Sequence, residues 1–459
     1  MKCRFLTTEE IFVIPIKKDD FIFYAPFLQL VFTGNKDMAK FLSLIKHNNL
    51  NWKMIDNKDK TIEKLTKIGL LSKTKSRMED VFRNPNIDIF QRGVTLLMTT
   101  DCNLRCLYCF AFGGEKKKRM KWEIAKSAVD YCLKDIKKGE SFNIIFHGGG
   151  EPTLAWNLLK KIVAYSKNKC KENRTKINFI IGTNGILSES QVRFMIENNF
   201  FIKLSIDGPP KIQNRLRPLK DGSESYEFLR KTIGLFNKLN ADYEARTTIT
   251  KDSVKYMLTI VKHFKKLGIK KVHLEPCFEC GRCLTTDTKG PPIEEFIKQM
   301  IRCLNYSKNR SISIKFSGQR LGTIYPRFCG AAGYNMFVTP EGYVSSCAEC
   351  QTPEDSASKI FFYGKIDSKT KKLKIDKSKL GYLRNRSVIN IPECKDCFCK
   401  WHCSGGCLIR NWRSTKSIFK IDKNICRMNK KIQLWILKEF LKNENIILDG
   451  CEIKPQKLL

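Results

Sequence analysis

Several features are scarce in this chain of 459 residues. No apolar run approaches the roughly 20 residues that span a bilayer, so no transmembrane helix is expected. The opening, Met1-Lys-Cys-Arg-Phe-Leu-Thr-Thr-Glu-Glu10, lacks the apolar stretch and small-residue cleavage site of an export signal. The expected location is cytoplasmic. Acidic residues are outnumbered, 46 Asp and Glu against 84 Lys and Arg, for a formal net charge of +38. Such a surplus suits nucleic acid, membrane headgroups or an acidic peptide. No aromatic-and-basic RNA-binding signature accompanies it, and runs such as Lys116-Lys-Lys-Arg119 and the Lys-rich 369–379 are scattered. Nucleic acid is therefore not an expected partner. Solvated surface lysine, with some attraction for an acidic substrate, is the preferred reading.

Cysteine is nearly missing from the first 90 residues, where Cys3 stands alone, yet the chain holds 20. In a secreted protein that number would suggest a disulfide framework. With no export signal and short spacings, metal or cluster binding is the better reading, and oxygen-labile clusters would imply an anaerobic setting. The most informative stretch is Cys102-Asn-Leu-Arg-Cys106-Leu-Tyr-Cys109, just after the apolar Val94-Thr-Leu-Leu-Met98. A 4Fe–4S cube takes four thiolates. A loop offering three leaves one iron open to a small molecule.

Hydrophobic periodicity divides the chain. Alternating strands at 11–16, 21–24 and 28–32 give way to helical patterns at 37–48 and 60–71. From about 91 to 320 strands at 93–98, 142–146, 177–181, 201–206, 244–249 and 271–275 alternate with helices such as 122–136, 155–169 and 225–239. That rhythm points to a parallel α/β sheet, whose loops at the carboxyl ends of strands carry sites. Those loops include His147-Gly-Gly-Gly-Glu-Pro152, Gly182-Thr-Asn-Gly185 and Ser205-Ile-Asp-Gly-Pro209, the last followed by Arg215 and Arg217.

The Cys-x3-Cys-x2-Cys spacing, with Tyr108 before the last cysteine, resembles the motif of radical S-adenosylmethionine (SAM) enzymes. The resemblance implies a partial (β/α)6 TIM-like barrel, a SAM-binding 4Fe–4S cluster on Cys102, Cys106 and Cys109, and release of a 5′-deoxyadenosyl radical. Carried over by motif, Gly149, Gly150, Glu151 and Pro152 would contact the SAM amino group. Ser205 and one of Arg215 and Arg217, with Arg217 preferred, would hold its carboxylate; Tyr108 and Asn184 complete the expected cofactor-binding set.

A second array comprises Cys329, Gly342 and Cys347, then Cys394-x2-Cys397-x5-Cys403-x3-Cys407 and Cys426. It is similar to the SPASM domain, the auxiliary-cluster extension of radical SAM peptide modifiers. By that resemblance Cys394, Cys397, Cys403 and Cys426 enclose one auxiliary 4Fe–4S cluster, and Cys329, Cys347 and Cys407 hold another. Its fourth ligand is Cys350 or an open position, since 321–328 contain no cysteine. Zinc is the alternative, because it also takes Cys-x2-Cys pairs. Cys277-Phe-Glu-Cys280-Gly-Arg-Cys283 belongs to neither motif: it could supply a ligand, bind a further metal or hold reactive thiols. Cys3, Cys132, Cys170, Cys303, Cys399 and Cys451 are expected as small buried apolar residues.

The expected domains are an α+β, winged-helix-like module over 1–90, a radical SAM core over 91–322, a cysteine-rich SPASM domain over 323–430, and a helix with a tail over 431–459. The amino-terminal layout resembles the peptide-recognition domain of ribosomal-peptide maturases, which adds a leader peptide as a strand; a plain cap on the next domain is the alternative. The family resemblance implies a maturase that cross-links, through a thioether or carbon–carbon bond, or oxidises a ribosomal precursor peptide, fed by a flavodoxin- or ferredoxin-type reductant. A sulfatase-maturating enzyme is the second reading. Against it stand the 90-residue extension and Ala348, where those enzymes carry an aspartate.

Overall fold

The computed structural model describes residues 6–7, 10–46, 60–72, 93–367 and 369–442. Cys3, Cys451, the expected boundary near residue 90 and the tail from 443 lie outside them.

Among the described residues the main sheet has eleven strands, and β1 (Leu6–Thr7) and β5 (Leu71–Ser72) pair antiparallel apart from it. Its parallel part runs from β6 (Gly93–Leu96) through β7 (Ser141–Phe146), β8 (Lys176–Thr183), β9 (Phe200–Ser205), β10 (Tyr243–Ile249) and β11 (Lys271–Pro276) to β12 (Ser313–Lys315). The six strands from β6 to β11 each begin within a residue of the expected position, whereas β12, only three residues long, is not among the expected strands. β7 shows the cause. Phe142, Ile144 and Phe146 alternate with polar or half-buried neighbours and are fully enclosed, as a period of two requires of one buried face. The helix Trp156–Glu172 covers the sheet with Leu159, Ile162, Val163, Ser166 and Cys170, a single stripe at helical spacing. Rings of Phe146, Phe179 and Phe200 stack across three strands.

The sheet does not stop at residue 322. β13 (Phe337–Val338) pairs in parallel with β6, through Phe337 with Thr95 and Val338 with Leu96. The antiparallel β14 (Tyr343–Ser345), β15 (Phe362–Ile366) and β16 (Leu373–Ile375) then extend it. The cysteine-rich segment is thus built onto the edge that carries the Cys102 loop. The final helix, Lys423–Phe440, returns to pack on Ile293–Ser307.

The amino-terminal module is a three-stranded antiparallel sheet, β2 (Phe12–Pro15), β3 (Asp20–Ala25) and β4 (Leu30–Asn35), with helices Lys36–Lys46 and Lys60–Lys67. A 3-10 turn at Pro26–Leu28, ending at left-handed Gln29, takes the first residues expected of β4. The second helix ends before Gly69 at φ 78°, a conformation glycine adopts without a Cβ penalty. Alternation makes β3 a two-faced element. Phe23 and Ala25 join the module's own core, whereas Ile22 and Tyr24 enter the core of the main body. The docking partner is a distant short helix, Lys400–Cys403. Glu10 accepts from Lys400 Nζ at 3.1 Å and Trp401 Nε1 at 2.6 Å, Phe27 meets the Trp401 ring edge-on, and Tyr24 Oη lies 2.5 Å from His402 Nε2.

Candidate functional site

Beyond β6 the chain turns over the carboxyl ends of the strands, and there Cys102, Cys106 and Cys109 face one another. Burial, reinforced by the neighbouring thiols, pushes Cys102 up to about 11 and Cys106 up to about 12. Crowded thiols in a dry cup lose protons only when something cationic takes their charge. The donor chemistry therefore fits an iron–sulfur cluster. N–H groups are aimed at all three sulfurs: Asn184 Nδ2 at 3.9 Å from Cys102, Arg217 Nη1 at 3.8 Å from Cys106, and Gly113 N at 3.4 Å from Cys109. Two arginines hold the loop by its carbonyls. Arg105 donates to Cys102 O, Leu104 O and Gly114 O, and Arg282 to Cys106 O and Gly113 O while pairing with Glu115. Among the described residues no three His, Cys, Asp or Glu side chains converge on one point as ligands of a single ion would.

The strand-end loops form the floor. Gly150 passes so close to the Cys102 loop that a Cβ there would stand 1.8 Å from Asp101 O, so only glycine fits. Glu151 is buried and its carboxylate accepts from Thr153 N and Oγ1, Thr183 Oγ1 and Asn184 N. It laces the ends of β7 and β8 together, and Pro152 begins the turn that follows. Burial raises its affinity for a proton and those hydrogen bonds oppose the rise. Asn184 also reaches Asn103 Oδ1 at 2.6 Å. Ser205 closes β9.

The two candidate arginines separate cleanly. Arg215 pairs with Asp252 on the surface. Arg217 is buried, lies over the Tyr108 ring, and donates through Nε to Asp207 Oδ2 at 2.9 Å. Asp207, fully enclosed, also accepts from the Tyr108 hydroxyl and from Thr248 N. In the sequence Asp207 stands only within the Ser205–Pro209 strand end, and Arg105 and Arg282 carry no motif; the signal for Asp207 is a carboxylate inside an Asp-Gly-Pro strand end, where burial requires a partner.

The carboxyl-terminal cysteines sort into two groups. Cys394, Cys397, Cys403 and Cys426 line one small pocket, together with Cys399, Gly405, Gly406 and Lys430. Asn429 Nδ2 donates to Cys403 Sγ at 3.1 Å. Cys329, Cys347 and Cys407 form the other, with Cys347 feeling the charge of both partners and of Glu349. Cys350 faces Asp355, Arg413 and Ser345 instead. Cys277 and Cys283 are buried with sulfurs 3.4 Å apart, and Cys280 neighbours Arg413 and Glu349. Cys170 and Cys303 sit in the apolar core, Cys132 touches Met336, and Cys399 is buried but in the cavity wall.

Comparison with known proteins gives three kinds of match. The radical SAM superfamily model matches residues 96–277. A cysteine-type anaerobic sulfatase-maturating enzyme of Clostridium perfringens is 25% identical over 71% of this chain and 90% of that protein. The radical SAM cyclopropyl synthase TigE of Paramaledivibacter caminithermalis is 23% identical over 74% of this chain and 72% of that protein. Among solved structures, native anSMEcpe with bound AdoMet superimposes with a TM-score of 0.62 at 20% identity, over 76% of this chain and 99% of the other. Streptococcus suis SuiB bound to precursor peptide SuiA gives 0.52 at 18% identity, over 92% of this chain and 99% of the other.

Proposed function

Because the chain carries a radical SAM domain, homologous to anaerobic sulfatase-maturating enzymes and peptide maturases, we propose that it is a maturase acting on a ribosomally made precursor peptide. It is an enzyme of radical redox chemistry, using a 4Fe–4S cluster and SAM. When bound, that pair supplies a 5′-deoxyadenosyl radical able to take hydrogen from an unactivated C–H bond.

The protein's part is to hold and shield. Cys102, Cys106 and Cys109 hold the cluster, with Arg105 and Arg282 fixing the loop that presents them. Arg217, aimed by Asp207, supplies a cation for the SAM carboxylate, and Ser205, at the end of the same strand that leads to Asp207, is the second group assigned to it. Gly149 and Gly150 let main chain approach the SAM amino group, and Glu151 keeps that loop in register. Tyr108 and Asn184 line the same cup. Cys394, Cys397, Cys403 and Cys426 hold one auxiliary cluster around their cavity, and Cys329, Cys347 and Cys407 a second. In this reading the core and the cysteine-rich segment share one sheet, joined where β13 pairs with β6.

The observation that carries the peptide reading is the amino-terminal module. Its sheet is docked through β3 beside the auxiliary cysteines, and its outer strands β2 and β4 offer edges to an extended leader. The SuiB match, which spans nearly the whole chain, supports it. A sulfatase-maturating enzyme remains the second reading, favoured by the match to nine-tenths of the Clostridium perfringens protein. The test is anaerobic turnover with SAM and a flavodoxin- or ferredoxin-type reductant. One arm offers a short cysteine-containing precursor peptide with a leader segment, the other a sulfatase-derived cysteine peptide. A mass change in the first with 5′-deoxyadenosine release is expected. Formylglycine in the second alone favours the alternative, and no SAM cleavage in either overturns both.

A further inference from the structure

Arg386 is wholly enclosed, at 0% exposure. Its guanidinium is gripped by three main-chain carbonyls: Nε donates to Ile418 O at 2.5 Å, Nη1 to Ser404 O at 3.2 Å and Nη2 to Gly405 O at 2.9 Å. All three are neutral, and among the described residues no Asp or Glu pairs with it. A buried cation without a counter-charge is costly, so the anion that balances it must come from elsewhere.

Its position supplies the answer. Ser404 and Gly405 lie in the turn Cys403-Ser404-Gly405-Gly406-Cys407, whose three middle residues have φ of 50°, 72° and 75°. Cys403 belongs to the cavity group and Cys407 to the other. Arg386 therefore clamps the shortest link between the two cysteine groups, and a Cβ on Gly405 would stand 2.8 Å from its Nη2. The charges that act on it are those of Cys394 and Cys403, from the cavity group, and of Cys329 and Cys407, from the other. A second cation repeats the arrangement. Arg320 lies over the Tyr325 and Phe328 rings, its Nε is buried without a partner, and it faces Cys329 and Cys403. If these cysteines were protonated thiols, Arg386 would face neutral groups alone and Arg320 would have only the charge of Glu275 opposite it. If they were cluster-bound thiolates, the charges would balance.

We propose that Arg386, seconded by Arg320, is the counter-charge shared by both carboxyl-terminal clusters and raises their reduction potentials, which suits them to accept an electron. This rests on the reading that both groups hold iron–sulfur clusters. Reduction adds one negative charge to a cluster, and a fixed cation nearby favours the more negative state. Net charge and hydrogen bonding around a cluster are among the levers that set its potential, and low dielectric strengthens them. As a positioning residue, Arg386 also holds the Cys403–Cys407 turn in its left-handed course.

The test is an EPR-monitored redox titration of the full-length, anaerobically reconstituted protein, following the signals that added SAM leaves unchanged. Arg386→Met should shift both auxiliary potentials in the negative direction at unchanged iron per chain, and Arg386→Lys should restore most of the shift. Arg320→Met, which spares the turn, should shift both in the same direction and decides the matter if Arg386→Met fails to load. Full iron with unchanged potentials, or a shift in one cluster only, overturns the proposal. Wild-type protein holding only the SAM-responsive cluster would instead remove the auxiliary-cluster reading beneath it, an outcome the iron count identifies before any variant is made.

Discussion

The Cys102 loop and the Cys394–Cys426 cavity solve opposite problems with the same side chain. In the loop three half-buried thiols sit over a floor of strand ends, braced through carbonyls by Arg105 and Arg282. In the cavity four thiols surround an enclosed space, with Asn429 and Lys430 at its wall. An open cup suits a cluster that must meet a small molecule, and a closed one suits a cluster that only passes electrons. Cys277 and Cys283 offer a third outcome, two buried sulfurs in mutual contact.

The comparison breaks most sharply at the cup. Cys106→Ala should reduce 5′-deoxyadenosine formation to the uncatalysed background, measured by chromatography after anaerobic incubation with SAM and dithionite. Undiminished cleavage would mean that the cup is not where SAM is broken. Cys403→Ala attacks the closed site instead. It should leave SAM cleavage within several-fold of wild type while product disappears and iron falls by about four atoms per chain. Product formed at the normal rate would show that the cavity has no part in turnover.

Between the two lies the buried pair that aims Arg217. Asp207→Asn removes the carboxylate and leaves an enclosed guanidinium uncompensated, for which losses of about 3–5 kcal/mol are usual. A fall in denaturant midpoint, with SAM binding weakened at least tenfold, is expected. Unchanged affinity for SAM would make the pair purely structural.

Much of this was legible beforehand, for identifiable reasons. The parallel strands announce themselves by alternation, while the two carboxyl-terminal cysteine groups are what the family resemblance implies. The pairing of β13 with β6 was not legible, because a strand of two residues, Phe337–Val338, carries no period. Nor was the choice between Arg215 and Arg217. Arg215 lies within the helix Pro210–Leu216 and Arg217 caps it at φ −130°, which turns one outward and the other in. The docking of Tyr24 on His402 joins positions 378 apart in sequence. Such contacts depend on side chains meeting after the sheet is built, and leave no trace in local pattern.

A smaller effect comes from His147, which burial, with Lys203 and Arg246, pushes down to about 4. The unfolded chain takes up this proton as pH falls below about 6.5, whereas the folded protein resists until about pH 4. Stability is therefore lost progressively on acidification across that window, by up to roughly 3 kcal/mol for this group, and no further below it. His147→Asn should flatten part of that slope in denaturant titrations between pH 7 and 4. His402, pushed down to about 4 by its own burial, should keep the remainder. An identical slope in the variant would show that His147 is protonated or solvated in the fold.

The smallest expected effect asks whether the amino-terminal module and the closed site are one structure. His402 places Nδ1 against two carbonyl oxygens, Arg320 O at 3.1 Å and Thr323 O at 2.9 Å. Carbonyls only accept, so Nδ1 carries the ring proton and Nε2 is the acceptor for the Tyr24 hydroxyl. Tyr24→Phe would leave that nitrogen buried and unsatisfied, at a cost of about 1–3 kcal/mol. Because His402 adjoins Cys403, the loss should appear as a lower unfolding midpoint and as a changed EPR line shape for the cavity cluster, while the SAM-responsive signal stays as it was. A drop in stability with every cluster signal untouched would reduce the contact to an anchor for the module, and would leave the two cysteine regions to be compared without it.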